Sequence, residues 1–172
     1  SFRSAASATH EALESRKFRN IVIIAEGIPE RDIRDIIARN EREYHTRIIG
    51  PATAGAIGGG TLRLGNNGGS LENIIESRLY EEGSVGFVSR SGGMSNEMYR
   101  VISKRTDGIH TGIALGGDRF VGSTFRDITL AYENTPEIHM IVLLGEVGSR
   151  DELEVAELIQ SGKITKPVVA YV

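Results

Sequence analysis

Apolar runs and polar gaps alternate along this chain. Residues 20–25, Asn-Ile-Val-Ile-Ile-Ala, form a continuous apolar run about as long as a strand buried on both faces. Glu26-Gly27-Ile28-Pro29 breaks the run, and Pro29 suits the first turn of a helix. Ile33, Ile36 and Ile37 then give the i, i+3, i+4 stripe of a helix running to about Arg42. Arg47-Ile48-Ile49 reads as a second strand, stopped by Gly50-Pro51. This is a β-α-β unit, and its crossover implies parallel strands. Ahead of it, residues 4–17 have helical composition, with Ala5, Ala6, Ala8, Ala12 and Leu13 among polar residues.

A Gly-rich stretch at 50–70 comes next, holding one candidate short strand at Leu62-Arg63-Leu64. Beyond it lies a second alternating series. Strands are predicted at 85–88, 113–115, 139–144 and 167–172, and helices at 95–103, 124–132 and 151–160. The class is therefore α/β, with parallel sheets covered on both faces. The division between the two units is expected at the polar segment Glu81-Glu82-Gly83. The last strand stops at Val172 with no helix to cover it, and the first unit lacks an earlier strand carrying a nucleotide-fold glycine fingerprint. The chain thus reads as a piece of a longer protein.

Composition narrows the function classes. Hydrophobic residues are 40% and charged residues 25% of the 172, which excludes a disordered chain. The formal charge of −3 argues against a nucleic-acid binder, which would show a clustered basic excess. With no cysteine, disulfides, thiolate metal sites and a cysteine nucleophile are excluded. No apolar stretch is long enough for a membrane span, and no apolar segment of a signal peptide comes after Ser1 to Ser4, so a cytoplasmic protein is expected. Glycine is 21 of 172, against a usual share of about 7%. The glycines cluster between apolar runs, as in folds whose loops bring backbone close to a ligand.

Four strand ends carry candidate chemistry. In Val88-Ser89-Arg90-Ser91-Gly92-Gly93-Met94-Ser95-Asn96-Glu97 a buried strand ends, two glycines permit a tight turn and a helix begins. Backbone N–H groups at Gly92 and Gly93 and the positive end of the helix make a place for a phosphate or carboxylate; the plainer alternative is a helix cap at Ser91 or Ser95. Glu146, flanked by Gly145 and Gly148 after an apolar strand, is an acid/base, a histidine orienter or a Mg²⁺ ligand, or else a loop glutamate capping the helix near Asp151. Glu26 has the same placement in the first unit and is a candidate general base or ligand contact, or a simple complement to a helix N-terminus. Gly116-Gly117-Asp118-Arg119 comes after another strand and could complete the wall of the second site, with Arg119 alternatively paired to Asp118 or Asp127. His10, His45, His110 and His139 have no second ligand at metal spacing and read as structural or exposed.

These residues carry a resemblance. Residues 24–30, Gly50-Pro51-Ala52-Thr53, Val88 to Glu97, Gly116-Gly117-Asp118-Arg119 with Gly122-Ser123-Thr124-Phe125, and Leu144-Gly145-Glu146 occur in this order and at similar spacing in the CoA-ligase family of ATP-citrate lyase and the succinyl-CoA synthetase α subunit. The resemblance covers essentially the whole chain. Gly-Pro-Ala-Thr and Ser-Gly-Gly-Met-Ser-Asn-Glu resemble the citrate branch, whereas the succinate enzyme usually has Gly-Pro-Asn-Cys and a tyrosine where Asn96 stands. It implies a later part of a Rossmann-like CoA-binding domain over 1–80 and the first part of a flavodoxin-like ligase domain over 83–172.

The implied chemistry uses ATP, CoA and Mg²⁺. A histidine is phosphorylated, citrate becomes citryl phosphate, and CoA gives citryl-CoA, which a citrate-synthase-like module cleaves to acetyl-CoA and oxaloacetate. By resemblance, Ser91, Gly92 and Gly93 hold the phosphoryl group and Asn96 lies near substrate. Glu146 orients the histidine, with Mg²⁺ as an alternative partner. Ile24, Ala25 and Glu26 contact CoA, and Glu26 serves as base when the thiol attacks. The family's Gly-His-Ala-Gly-Ala motif does not occur in these 172 residues, and no histidine here replaces it. The isolated chain is therefore expected to be inactive without its ATP-grasp and citrate-synthase-like partner regions, in a homo- or hetero-oligomer. A citryl-CoA synthetase subunit, a succinyl-CoA synthetase α subunit and, in a different class, a non-catalytic CoA-binding module are the alternatives.

Overall fold

The computed structural model describes residues 2–172. Helix α1 (Phe2–Ser15) leads into β1 (Asn20–Val22), α2 (Glu30–Arg39), a π-helical turn (Asn40–Tyr44) and β2 (Arg47–Ile49). Strands β1 and β2 pair in parallel as a two-stranded sheet. Strand β1 is shorter than the apolar run suggests: Ile23 donates to the Ile49 carbonyl, and β2 ends there. Leu13, Ile23, Ile28, Ile33, Ile36 and Ile48 form the core of this unit, so the isoleucine stripe of α2 faces the strands as its spacing requires.

The second unit holds β3 (Gly55–Gly58), β4 (Leu62–Gly65), α3 (Leu71–Glu76), β5 (Val85–Ser89), α4 (Gly92–Ser103), β6 (Ile109–Ala114), α5 (Phe125–Glu133), β7 (Met140–Leu144), α6 (Asp151–Gln160) and β8 (Val168–Tyr171). Its six strands lie in the order β4-β3-β6-β5-β7-β8. Strands β6, β5, β7 and β8 are parallel. Central β5 is buried along its whole length. Its alternate side chains go to opposite faces. Val88 joins Ile113, Ile141 and Leu143 under α5 and α6. Val85 and Phe87 join Val142 and Leu144 under Tyr99 and Ile102 of α4. Helices thus cover both faces, as the α/β class requires.

Two differences from the sequence expectations arise from long-range pairing. The glycine-rich stretch supplies the hairpin β3–β4, which pairs antiparallel with β6 and makes the sheet mixed at that edge. The sheets consequently change hands at residues 50–54, upstream of the polar segment at 81–83. Helix α3 has too few turns to show a periodicity; it is six residues long and capped by the Ser70 hydroxyl.

Residues 50–54 tie the units together. The Ala52 N–H donates to the Ala25 carbonyl just after β1 in the first unit, while the Ala52 carbonyl accepts from Gly117 after β6. The Thr53 hydroxyl donates to the Ala114 carbonyl, and Ser123 Oγ donates to the Ile48 carbonyl at 2.7 Å. Gly116 takes φ +111° where its turn crosses the Pro51 carbonyl, a conformation and a closeness that no side chain tolerates. Away from the strand ends, Tyr99 packs edge-on against Phe87 at 5.2 Å and donates to the Asn67 side chain. Burial pushes the Tyr99 hydroxyl far above its usual pKa, against a smaller opposing effect of that hydrogen bond.

Candidate functional site

The register of the parallel strands sets the site. Ser89 is level with Ala114 on one side and with Leu144 on the other, so β5, β6 and β7 end together. The loops leaving these three strands, 90–91, 115–124 and 145–150, begin at one edge, where open parallel sheets place their ligands.

At the end of β5, Ser91 is the N-cap of α4, and its hydroxyl accepts from the Met94 N–H at 3.3 Å. Ser95 instead donates its hydroxyl to the Ser91 carbonyl at 2.6 Å, so of the two serines only Ser91 caps. The cap satisfies one of the four amides that every helix start leaves open. The Gly92 and Gly93 N–H groups have no acceptor among the described residues. The two glycines differ. A side chain at Gly92 would strike the Ala54 Cβ at 2.7 Å, whereas one at Gly93 would meet nothing within 4 Å. Packing therefore requires Gly92, while Gly93 leaves open space over the positive end of the helix.

Glu146 stands at the end of β7 with its side chain 55% exposed. It does not cap α6. The reverse occurs: Glu152, in the first turn of α6, accepts from the Glu146 N–H at 3.1 Å. The Glu146 carboxylate lies 3.5 Å from Nε of Arg90. Among the described residues no group of three or more His, Cys, Asp or Glu side chains is arranged to hold a metal ion.

Arg90 is the residue that motif reading missed. Its side chain is only 10% exposed. Its Nη1 donates to Asp151 at 2.5 Å and its Nη2 to the Asp118 carbonyl at 2.6 Å. It therefore touches the loops after β6 and β7 from its own place after β5. A signal was present: an arginine directly after the all-buried Val-Gly-Phe-Val-Ser strand must begin at core depth, where a guanidinium persists only with partners. Arg119, by contrast, pairs with neither Asp118 nor Asp127. Its guanidinium lies 5.4 Å from the Phe120 ring centre, and Asp127 completes a capping box with Thr124.

The remaining candidates fall elsewhere. Ile24 is half exposed, Ala25 is partly buried, and Glu26 is exposed with no hydrogen bond or ion pair to its side chain among the described residues. The Glu26 loop nevertheless comes near the main site. A cleft of about 120 Å³ is lined by Gly27, Ile28, Glu30 and Ile33 on one side and by Asp118, Arg119 and Phe120 on the other. Asn96 lies one turn into α4, where its Oδ1 accepts from the Gly68 N–H at 3.0 Å. In this structure it braces the 66–70 loop. The histidines have local partners or lie apart: His10 meets Arg39 and Asp35, and His110 meets Glu82. A larger cleft of about 550 Å³ opens beside Arg16, Arg19, His45 and Arg47 at the amino-terminal ends of β1 and β2. Arg16 and His45 come directly after α1 and the π-helical turn, and the Arg16 guanidinium lies 5.1 Å from the Tyr44 ring centre.

Comparison with known proteins agrees with the fold. The CoA-ligase family model matches residues 88–172, the segment that holds the ends of β5, β6 and β7. The chain is 52% identical over its full length to the ATP-citrate synthase beta chain protein 1 of Arabidopsis thaliana, covering 28% of that protein. It is 50% identical over 99% of its length to the ATP-citrate synthase of Homo sapiens, covering 15% of it. Its backbone superposes with TM-score 0.94 on the ATP citrate lyase of Methanothrix soehngenii solved in complex with citrate and coenzyme A, at 48% identity, covering 99% of this chain and 28% of that one. The chain thus spans about a quarter of the length of the plant relative, and nothing near the whole of any of the three. Residues 88–172 thus match the CoA-ligase family, and the sequence and fold along the full length are similar to one stretch of the ATP-citrate synthases (ATP-citrate lyases).

Proposed function

We propose that this chain is the part of an ATP-citrate lyase that receives a phosphoryl group and presents CoA to the activated acid. In the whole enzyme, citrate, CoA and ATP would give acetyl-CoA and oxaloacetate by way of a phosphohistidine, citryl phosphate and citryl-CoA. The carrying observation is the pair of unclaimed amides at Gly92 and Gly93 beside the Arg90–Glu146 pair. Amides at a helix start bind phosphoryl oxygens without further help. The open space over Gly93 leaves room for such a group. A histidine from another part of the enzyme would enter between that helix end and Glu146, whose carboxylate accepts the N–H of the imidazole and so fixes which nitrogen faces the phosphoryl group.

The first unit supplies the thiol side of the reaction. Ile24 and Ala25 come after β1 as a partly exposed apolar lip, suited to a CoA arm. Glu26 projects beyond them with no side-chain partner among the described residues and would take the thiol proton as sulfur attacks the acyl phosphate. ATP supplies the phosphoryl group, and Mg²⁺ would arrive with its phosphates, with Glu146 as its candidate contact on this chain. The ATP-grasp and citrate-synthase-like regions are the expected partners, within a homo- or hetero-oligomer in the cytoplasm.

The test is made in the full-length enzyme with ATP labelled at the γ-phosphate. Glu146→Gln should suppress labelling of the histidine, or transfer of the label to citrate. Undiminished labelling and transfer would favour a CoA-binding module without phosphoryl chemistry.

A further inference from the structure

Arg90 belongs to neither the helix cap nor the acidic side chain, yet it is the link between them. Two strand-end loops meet on one side chain: Nη2 holds the backbone after β6 at Asp118, while Nη1 holds Asp151 and Nε faces Glu146 at the two ends of the β7–α6 connection. The backbone of the same residue leads directly into the Ser91 cap. With its side chain 10% exposed and three groups around it, Arg90 is not placed to grip a substrate. It has the geometry of a brace. The planar fork of a guanidinium can hold three acceptors at fixed angles, which an ammonium cannot.

The partners differ in how firmly they are held. Asp151 and the Asp118 carbonyl are close, at 2.5 and 2.6 Å, and anchor the guanidinium. Glu146 is at 3.5 Å and more exposed than Asp151, at 55% against 31%. Its backbone N–H is meanwhile tied to Glu152. The loop is fixed at its root, and its carboxylate is steered rather than locked, leaving Glu146 oxygens available to an incoming group.

We propose that Arg90 is the positioning residue of the phosphoryl-transfer site. It fixes the Glu146 carboxylate relative to the open amides of Gly92 and Gly93, and sets the rate of histidine phosphorylation without touching the reactants. This role rests on the function proposed above, in which Glu146 orients the histidine. Small displacements of an orienting group are costly: about 1 Å of misplacement can lower a rate by about 100-fold.

The test is a double-mutant cycle in the full-length enzyme, reading the single-turnover rate of histidine phosphorylation together with KM for CoA. Arg90→Gln should slow phosphorylation by about 10- to 100-fold with KM for CoA unchanged. Arg90→Lys, which keeps the charge and is the safer variant for folding, should recover only part of the rate. The Arg90→Gln/Glu146→Gln double variant should be no slower than the slower single variant, because the two residues act as one unit. If the two losses multiply, or if Arg90→Lys is as fast as the parent, Arg90 is only a structural tie and the proposal is overturned. If Glu146→Gln alone leaves phosphorylation unchanged, the function reading fails first and takes this role with it.

Discussion

The two units present an acidic side chain after a parallel strand in opposite ways. Glu146 is steered by Arg90, and its loop is tied down by Glu152. Glu26 comes after a three-residue strand in a two-stranded sheet and has no side-chain hydrogen bond or ion pair among the described residues. One end of the molecule is organised before any ligand arrives; the other offers a free carboxylate and an apolar lip that await one. Preorganised groups act by position and free ones by reach, so substitutions at the two ends should differ in kind as well as in size.

The sharpest way to break that contrast is to exchange each acid for its amide in the full-length enzyme. Glu146→Gln should lower the rate of histidine phosphorylation by about 100-fold or more, the range expected when a positioned proton-handling group is lost. Glu26→Gln should leave phosphorylation intact and slow only the CoA-dependent step, seen as phosphoenzyme that forms normally but decays slowly on adding citrate and CoA. Equal losses of phosphorylation in both variants would remove the distinction.

The paired glycines sharpen it next. Gly92→Ala forces a methyl group against Ala54 and should cost about 1–3 kcal/mol of stability, measured by denaturant unfolding. Gly93→Ala meets nothing and should hold stability or raise it by about 0.5 kcal/mol through lower flexibility of the unfolded chain. A smaller effect is expected at the caps. Thr124→Ala and Ser91→Ala each lose a cap bond and should cost about 1 kcal/mol, but only Ser91→Ala should also slow phosphorylation.

The smallest effect is a pH dependence far from the site. Partial burial raises the Glu133 pKa, but the Thr165 hydroxyl and the Lys166 N–H that it accepts outweigh this and leave it lowered. A carboxyl lowered on folding adds stability above its unfolded value of about 4.3, and this is lost as pH falls through the folded value. Glu133→Gln should therefore reduce the melting temperature slightly at pH 7 and leave it unchanged near pH 2.

How far the sequence could be read depended on the range over which each feature is decided. The strand at 85–89 and the stripe of α2 are written in local periodicity, and Ser91 and Glu146 in their places after apolar runs. Hairpin β3–β4 was not legible as part of the larger sheet, because its pairing partner β6 lies some fifty residues on and its own glycines carry no apolar pattern. Asn96 shows the same limit. Its type and motif position suggested a substrate contact, while the fold employs its carbonyl oxygen to hold Gly68. Arg90 was the largest omission: its environment comes from residues near 118 and 151, which only the folded sheet brings beside it.

The hairpin governs how the chain can be divided. Severing it at 81–83 would strip β6 of its neighbour and bare a row of unpaired backbone along an apolar margin, an invitation to self-association. Severing it just before Thr53 would keep that margin sealed, leaving the six strands to be purified as one body.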